Sequence, residues 1–302
     1  MIKVKNKLYK TYCPICGSKK NFKVLYKTNF SLDDLNDTIF SARRIPDKIH
    51  YQLVKCKNDG LVRSNPIADH SVLEVLYKKS KFTYQDETDN LTNTYYQALQ
   101  KVLKNIDKNS KILEIGCGNG FVLKKLYQHG YKNIYGIEPS IDAKNNADKK
   151  IANNIITDIL KPKLFHKKSF DFIFFFQTFD HIPNPNEFLK LCYSLLKKGG
   201  YILSFNHNIN SFSSKILKEK SPIIDIEHTY LYNPQTMKLI FENNKFHTVT
   251  TFSPNNIVSL RHLVWLFPLT IKLKKKLLES KHKVLNKIIK IKLGNICYIG
   301  QK

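Results

Sequence analysis

Residues 111–120 read KILEIGCGNG, a short apolar run that passes directly into three glycines at alternate positions. Ile112, Leu113 and Ile115 are the side chains expected of a strand covered on both faces, as in a parallel sheet. Gly116, Gly118 and Gly120 then make a tight turn where a ligand can approach backbone that a Cβ would shield. The following segment, FVLKKLYQHG, carries helical spacing to a glycine stop at Gly130. The turn therefore opens a helix whose first N–H groups can meet a ligand carboxylate or phosphate. Taken alone, a glycine turn of this kind suits nicotinamide and flavin folds as well, or a purely structural turn.

The segments that follow narrow the choice. Asn133 to Ile137 reads as a second strand ending in Glu138-Pro139-Ser140. An acidic residue about 20 positions after the glycines suits the two hydroxyls of a ribose. Asn154 to Thr157 reads as a third strand ending at Asp158, placed to receive an adenine amino group. Phe170 to Phe176 is a fourth, running into QTFDHIPNP. Glu187 to Lys198 is expected to be a helix, stopped by Gly199-Gly200, with Tyr201 to Phe205 as a fifth strand. Strands alternating with helices imply an α/β fold with a doubly wound parallel sheet.

In this order ILEIGCGNG, IEPS, TDI, FDFIFFFQTFDHIPNP and LLKKGGYILSFN resemble the motif set of class I S-adenosylmethionine-dependent methyltransferases, over roughly residues 99–252. The resemblance implies a seven-stranded Rossmann-like sheet, closed by an antiparallel pair for which Phe246–Phe252 and Asn295–Gly300 are the candidates. It also implies S-adenosylmethionine as cofactor, with Gly116, Gly118 and Gly120 passing its methionine part and Glu114 near the amino group. Glu138 would hold the ribose, Asp158 and Ile159 the adenine, and Gln177 would border the transferred methyl. A dehydrogenase reading loses ground because GCGNG lacks the G-x-G-x-x-G spacing.

The amino-terminal part carries Cys13-Pro-Ile-Cys16-Gly17, two thiols spaced to face one tetrahedral ion across a tight turn. Cys56-Lys-Asn-Asp59-Gly60-Leu-Val-Arg-Ser-Asn-Pro66 stands where a second pair is expected. It is similar to the C-x-x-C-G-L-V-x-x-N-P text of methyltransferases that carry a zinc ribbon ahead of the catalytic domain, with Asp59 in place of the fourth cysteine. A carboxylate oxygen can bind zinc, so the expected ligands are Cys13, Cys16, Cys56 and Asp59; His50 is a second candidate for the fourth position, and a metal-free scaffold is the alternative. The division expected is a zinc-ribbon-like segment over 1–80 and a methyltransferase domain over 81–302, with a basic helical insertion over 259–293.

A sulfonium is a good leaving group, so much of the rate should come from in-line positioning of the acceptor. A hydroxyl or carbon-acid acceptor must still lose a proton to a base. His181 follows the fourth strand, at the carboxyl edge where ligands gather. His228 lies in Asp225-Ile-Glu-His-Thr-Tyr230. The Glu227-His228-x-Tyr230 text, with the ribbon, resembles sugar-modifying methyltransferases, including deoxysugar C-methyltransferases, in which these groups border the acceptor. Glu227 is expected to orient His228 and raise its basicity, and Tyr84, Tyr95 and Tyr96 to line the pocket or the core. The Gln177 to His181 stretch resembles less closely a metal-assisted quinone-pathway O-methyltransferase, which carries acidic residues where Gln177 and Asp180 stand; Gln177 departs from that pattern.

Fifty Lys and Arg against 24 Asp and Glu give the chain a formal net charge of +26. Arginine, the residue of bidentate phosphate and base contacts, is confined to Arg43, Arg44, Arg63 and Arg261. The charge is therefore read as lysine spread over the surface, and nucleic acid is the less favoured partner. Behind Trp265 and Phe267, Leu273, Leu277, Val284, Ile288 and Ile291 recur at helical intervals among lysines. This stretch is read as packing its apolar stripe on the domain, with peripheral contact to an anionic membrane as the alternative. No signal-peptide core follows Met1-Ile-Lys-Val-Lys, and no run approaches the roughly 20 apolar residues of a membrane span. A cytoplasmic protein, with a sugar nucleotide or other cell-surface glycan precursor as acceptor, is expected. The rivals are a ribosomal RNA methyltransferase, which the wide spacing from Cys16 to Cys56 argues against, and a non-catalytic cofactor-binding module, which the intact glycines, Glu138 and Asp158 argue against.

Overall fold

A computed structural model describes residues 8–31, 48–79, 87–266, 269–279 and 282–302. Tyr84, Arg43, Arg44 and Phe267 lie outside the described residues, as does the side chain of Trp265. The chain begins with β1 (Leu8–Tyr9), β2 (Phe22–Tyr26), β3 (Leu53–Cys56), β4 (Val62–Ser64) and β5 (Ile67–Ala68), then α1 (His70–Lys79) and α2 (Thr88–Leu103). The alternating part follows: β6 (Ile112–Ile115), α3 (Phe121–Gln128), β7 (Ile134–Ile137), α4 (Ile141–Asn145), β8 (Ile155–Ile156), β9 (Phe170–Phe176), α5 (Pro185–Leu195) and β10 (Leu196–His207). Next come α6 (Phe212–Leu217), β11 (Tyr230–Leu231), α7 (Pro234–Asn243), β12 (His247–Phe252), β13 (Asn256–Ser259), α8 (Leu260–Leu266), α9 (Ile271–Glu279), β14 (Ile288–Ile291) and β15 (Asn295–Gln301).

Seven strands form one sheet in the order β12-β15-β10-β9-β6-β7-β8, and β15 runs antiparallel to both of its neighbours. This is a Rossmann-like sheet, closed by the expected antiparallel pair. The phenylalanine run of β9 shows why the sheet sits where it does. Phe170, Ile173 and Phe175 pack into the core on one face, and Phe172, Phe174 and Phe176 into the core on the other. A strand buried on both faces needs such a continuous apolar run, and each buried phenylalanine stabilises by roughly 1.5–3 kcal/mol.

Two sequence expectations are corrected. The helix expected over Glu187–Lys198 is α5, with Pro185 in its first turn, and it ends at Leu195, where the backbone becomes extended. Lys197 to Gly200 lie within β10, at a register shift between Leu196 and Tyr201. Gly199, at φ +76°, therefore turns the chain inside a strand instead of stopping a helix. The helix expected through Leu293 also ends early, at Glu279. Ile288 to Ile291 is strand β14, paired antiparallel with β13. β-Branched residues favour that extended form once a partner strand offers its edge.

The amino-terminal segment is tied to the part that carries the seven-stranded sheet. Its four-stranded sheet runs β11-β4-β3-β2, so the last strand comes from Tyr230–Leu231, immediately after His228. The Ser64 hydroxyl donates to the His228 carbonyl at 2.8 Å, and Cys13, Cys56 and Leu61 share a core with Phe175, Phe179 and Tyr230.

Candidate active site

The carboxyl ends of β6, β7, β8, β9 and β10 open into a cavity of about 840 Å³, within the range of cofactor and ligand sites. Glu114, Gly116, Gly118, Glu138, Asp158, Ile159 and Gln177 all line it. Gly116, Gly118 and Gly120 have φ of +74°, +55° and +73°, which favours glycine at each. Their contacts differ from the expectation. A Cβ on Gly116 would lie 2.4 Å from Thr178 Oγ1, and one on Gly120 would lie 2.4 Å from Ile151 Cδ1. Both glycines thus permit close packing of the protein on itself as well as the turn. The Gly118 N–H points across the turn and donates to Glu138 Oε2 at 2.8 Å, while Glu138 Oε1 accepts from Ser140 N at 2.9 Å. Asp158 pairs with Lys161, which holds its carboxyl below the usual range. Gln177 sits at φ +47°, an uncommon state for a side-chain-bearing residue, with its N–H donating to the Phe205 carbonyl at 2.7 Å.

Beside these groups the cavity carries four histidines, of which His181, His207 and His228 lie together. His181 belongs to a 3₁₀ turn, Phe179–His181, directly after β9; His207 ends β10; His228 lies in the loop before β11. The His228 ring is 5.0 Å from that of His181 and 5.2 Å from that of His207, measured between centroids. Its Nδ1 lies 2.8 Å from the Ile223 carbonyl oxygen, which can only accept, so Nδ1 carries a proton. Its Nε2 faces Asp180 Oδ2 at 3.7 Å. His181 Nε2 lies 3.7 Å from Asp180 Oδ1, and its Nδ1 is 2.9 Å from the Tyr77 hydroxyl. Asp180 is buried; Oδ1 accepts from Asn206 Nδ2 at 2.9 Å, and Oδ2 makes no hydrogen bond among the described residues. Burial raises its carboxyl above the ordinary range, and His228 opposes that shift. Burial, with His228 beside it, pushes His207 down to about 3.

The sequence placed His181 and His228 correctly at one cavity. The two ring nitrogens of His228 face the Ile223 carbonyl and Asp180, a carboxylate that the sequence had not paired with that ring. Glu227 does line the cavity. Asp180 stood out in the sequence only as an acidic position of the metal-assisted O-methyltransferase pattern, not as a partner of His228. Tyr77 had no signal at all, because it reaches His181 from 104 residues away. Of the tyrosines ahead of the sheet, Tyr95 lines the cavity and stacks on Phe176 with centroids 4.1 Å apart, whereas Tyr96 packs on His129.

Among the described residues, two groups can hold a metal ion. The ligand atoms of Cys13, Cys16, Cys56 and Asp59 all lie within 4.8 Å of one another, as do those of Asp180, His181 and His228. In the first group Cys13 Sγ is 3.0 Å and Cys56 Sγ 3.3 Å from Asp59 Oδ2, and Cys16 Sγ is 3.5 Å from Cys56 Sγ. A tetrahedral zinc with sulfur ligands at about 2.3 Å holds its thiolates about 3.8 Å apart, so the group needs little adjustment. Both loops are built alike: Gly17 N donates to the Cys13 carbonyl, and Gly60 N to that of Cys56. His50 is not part of the group. Its Nε2 pairs with Glu219 at 3.2 Å and its Nδ1 meets the Tyr51 carbonyl, which corrects its candidacy as a ligand.

A family model described as a methyltransferase domain matches residues 88–251, more than half of the chain. The chain is 30% identical over 112 residues to the ubiquinone biosynthesis O-methyltransferase of Coxiella burnetii (strain RSA 493 / Nine Mile phase I), a match covering 35% of this chain and 47% of that protein. It is 31% identical over 103 residues to the tRNA U34 carboxymethyltransferase of Nautilia profundicola, covering 32% of this chain and 34% of that one. The chain thus spans less than half the length of each of these two relatives. A crystal structure of a putative sarcosine dimethylglycine methyltransferase from Galdieria sulphuraria shares the fold, with a TM-score of 0.50 and 14% identity over 73% of this chain and 91% of that chain.

Proposed function

The chain belongs to the methyltransferase-domain family, and on that footing we propose that it moves the methyl group of S-adenosylmethionine to a small hydroxylated acceptor, a sugar nucleotide or other glycan precursor. One observation carries the reading: His181 and His228, with the buried Asp180 facing both, border the same cavity as the glycine turn and Glu138. When bound, the cofactor supplies a sulfonium-activated methyl group. In this reading the Gly116–Gly120 turn and Glu114 take the methionine part, Glu138 the ribose, Asp158 and Ile159 the adenine, and Gln177 stands beside the methyl. The glycine turn suits this because its backbone is already held in the left-handed region, so little conformational freedom is lost on binding.

The acceptor is held among hydroxyl, amide and carboxylate groups, including Ser211, Ser213, Asn256, Asn295 and Glu227, which suits a polyhydroxylated molecule. His228 is the base. Its Nδ1 proton is held by the Ile223 carbonyl, which leaves the Nε2 lone pair to take the acceptor's proton. Asp180 stabilises the imidazolium so formed, and Asn206 keeps that carboxylate in place. His181, braced by Tyr77, flanks the same spot and orients the acceptor or takes the proton in its stead. Cys13, Cys16, Cys56 and Asp59 are read as a structural zinc site, which would tie the two knuckles together beneath β11 and so hold the loop that carries His228.

The test is release of S-adenosylhomocysteine from purified protein given S-adenosylmethionine with nucleotide-linked sugars, free quinols or RNA transcripts. Turnover on sugars supports the reading. Turnover confined to quinols or RNA would remove the sugar acceptor, and cofactor binding with no turnover on any of them would favour a binding module.

A further inference from the structure

The sequence offered the lysine-rich insertion as a stripe to be packed away, but of that stripe's five apolar side chains only Leu277 is partly covered and the other four are exposed. Val284 is 68% and Ile288 57% exposed, and Leu273 and Ile291 are exposed as well. Between residues 256 and 294 the chain holds nine lysines and Arg261 against one acid, Glu279. Lys272, Lys276, Lys283, Lys287, Lys290 and Lys292 are all exposed.

A second exposed apolar pair adjoins it. Phe212 and Ile216, 81% and 60% exposed, lie four residues apart on one face of α6, with Lys215 beside them and Lys218 and Lys220 just after. The two elements touch. A Cβ on Gly294, at the end of the insertion, would lie 2.5 Å from Ser211 Cβ, and Asn208 N donates to the Gly294 carbonyl at 2.9 Å. Both also wall the cavity: Ser211, Ser213 and Leu217 from the α6 side, Asn256, His262 and Leu293 from the insertion.

We infer that α6 and the 256–294 insertion form a docking face for an anionic lipid bilayer, set beside the cavity so that an acceptor is drawn from, or held at, the membrane surface. Aliphatic side chains interleaved with lysines suit the boundary between headgroups and acyl chains, where apolar burial and attraction to anionic lipid add. An RNA surface would instead lean on guanidinium forks. The insertion's single arginine is engaged internally: its guanidinium donates to the Leu278 carbonyl and to Asn286 Oδ1. The place of the acceptor rests on the reading of the cavity as the methyl-transfer site; the docking face does not.

The experiment is cosedimentation of the full chain with vesicles of phosphatidylcholine alone or mixed with phosphatidylglycerol, at low and high salt. Binding to the anionic vesicles should be at least about tenfold tighter than to neutral ones and should weaken as salt rises. Lys287→Glu with Lys290→Glu and Lys292→Glu, and separately Phe212→Ser with Ile216→Ser, should each reduce it by about tenfold or more. Salt dependence in the unaltered chain keeps the test independent of whether a variant folds. Equal partition to both vesicles, or no sedimentation with either, overturns the inference. So does retention of RNA by the same lysines without vesicle binding, which would assign the face to nucleic acid. S-adenosylmethionine affinity, measured by calorimetry without vesicles, tests the cavity reading separately.

Discussion

Asp180 Oδ2 faces His228 Nε2 across 3.7 Å, and the other nitrogen of that ring is 2.8 Å from the Ile223 carbonyl oxygen. The first distance is too long for a hydrogen bond. The carboxylate is therefore poised for an imidazolium that forms only when His228 takes a proton, or for a cation lying between them. Because Asp180 is buried, its ionised form gains most when that positive charge appears.

His228→Gln should lower turnover by about 10²–10⁴-fold, the usual range for a general base, while calorimetric affinity for S-adenosylmethionine stays unchanged. Asp180→Asn should lower turnover by about tenfold or more and move the acid limb of the pH–rate profile, since the carboxylate acts through the imidazole. Loss of cofactor affinity in both variants would give the pair a structural role only.

Glu138→Ala should weaken S-adenosylmethionine binding by about tenfold or more, because a carboxylate hydrogen bond is worth about 1.5–3 kcal/mol. The same change releases Gly118 N and Ser140 N, which Glu138 now holds. Glu138→Gln keeps one acceptor oxygen and should fall between. Unchanged affinity in calorimetry takes Glu138 out of the ribose role.

Elemental analysis of the purified chain should find zinc near one per molecule, and a chelator should lower the melting temperature. Cys16→Ser should do the same without the chelator. Zinc content far below stoichiometric, with no shift on chelation, would reduce Cys13, Cys16, Cys56 and Asp59 to a metal-free knuckle.

His207 protonates near pH 3 when folded and near 6.5 when unfolded. The folded state thus binds fewer protons, so the stability linked to this ring is fully present above pH 6.5 and is lost as pH falls toward 3. The ring borders the cavity, where water softens the effect, so roughly 1–3 kcal/mol is expected. Denaturant unfolding of a His207→Asn variant between pH 7 and 4 should show a flatter acid decline than the unaltered chain. An identical decline would show that His207 does not contribute.

Local pattern was enough for the sheet and for residues that meet at one cavity. KILEIGCGNG, Glu138 and Asp158 are separated by few elements, and in a doubly wound sheet every strand delivers its carboxyl end to the same edge. Helical spacing also located α3, and a continuous apolar run located β9, because burial on both faces leaves its mark in the strand; the closing pair came from the family resemblance. The helix expected at Leu293 was misread because apolar residues among lysines fit either period when the partner is unknown; pairing with β13 decided it.

What only the tertiary structure decided is who stands next to whom across the chain. The four-ligand group needed the turns at Gly17 and Gly60 to converge. His228 was visible in the sequence, but its partner was not: a neighbouring glutamate was the natural guess, and the fold turned the ring toward Asp180. Tyr77 meets His181 only because the fold sets α1 against the cavity. Sequence by itself determined which residues could line a methyl-donor cavity, since strand order and burial are written locally. Which carboxylate serves which histidine depends on side-chain direction and long-range packing, and these exist only once the chain has closed.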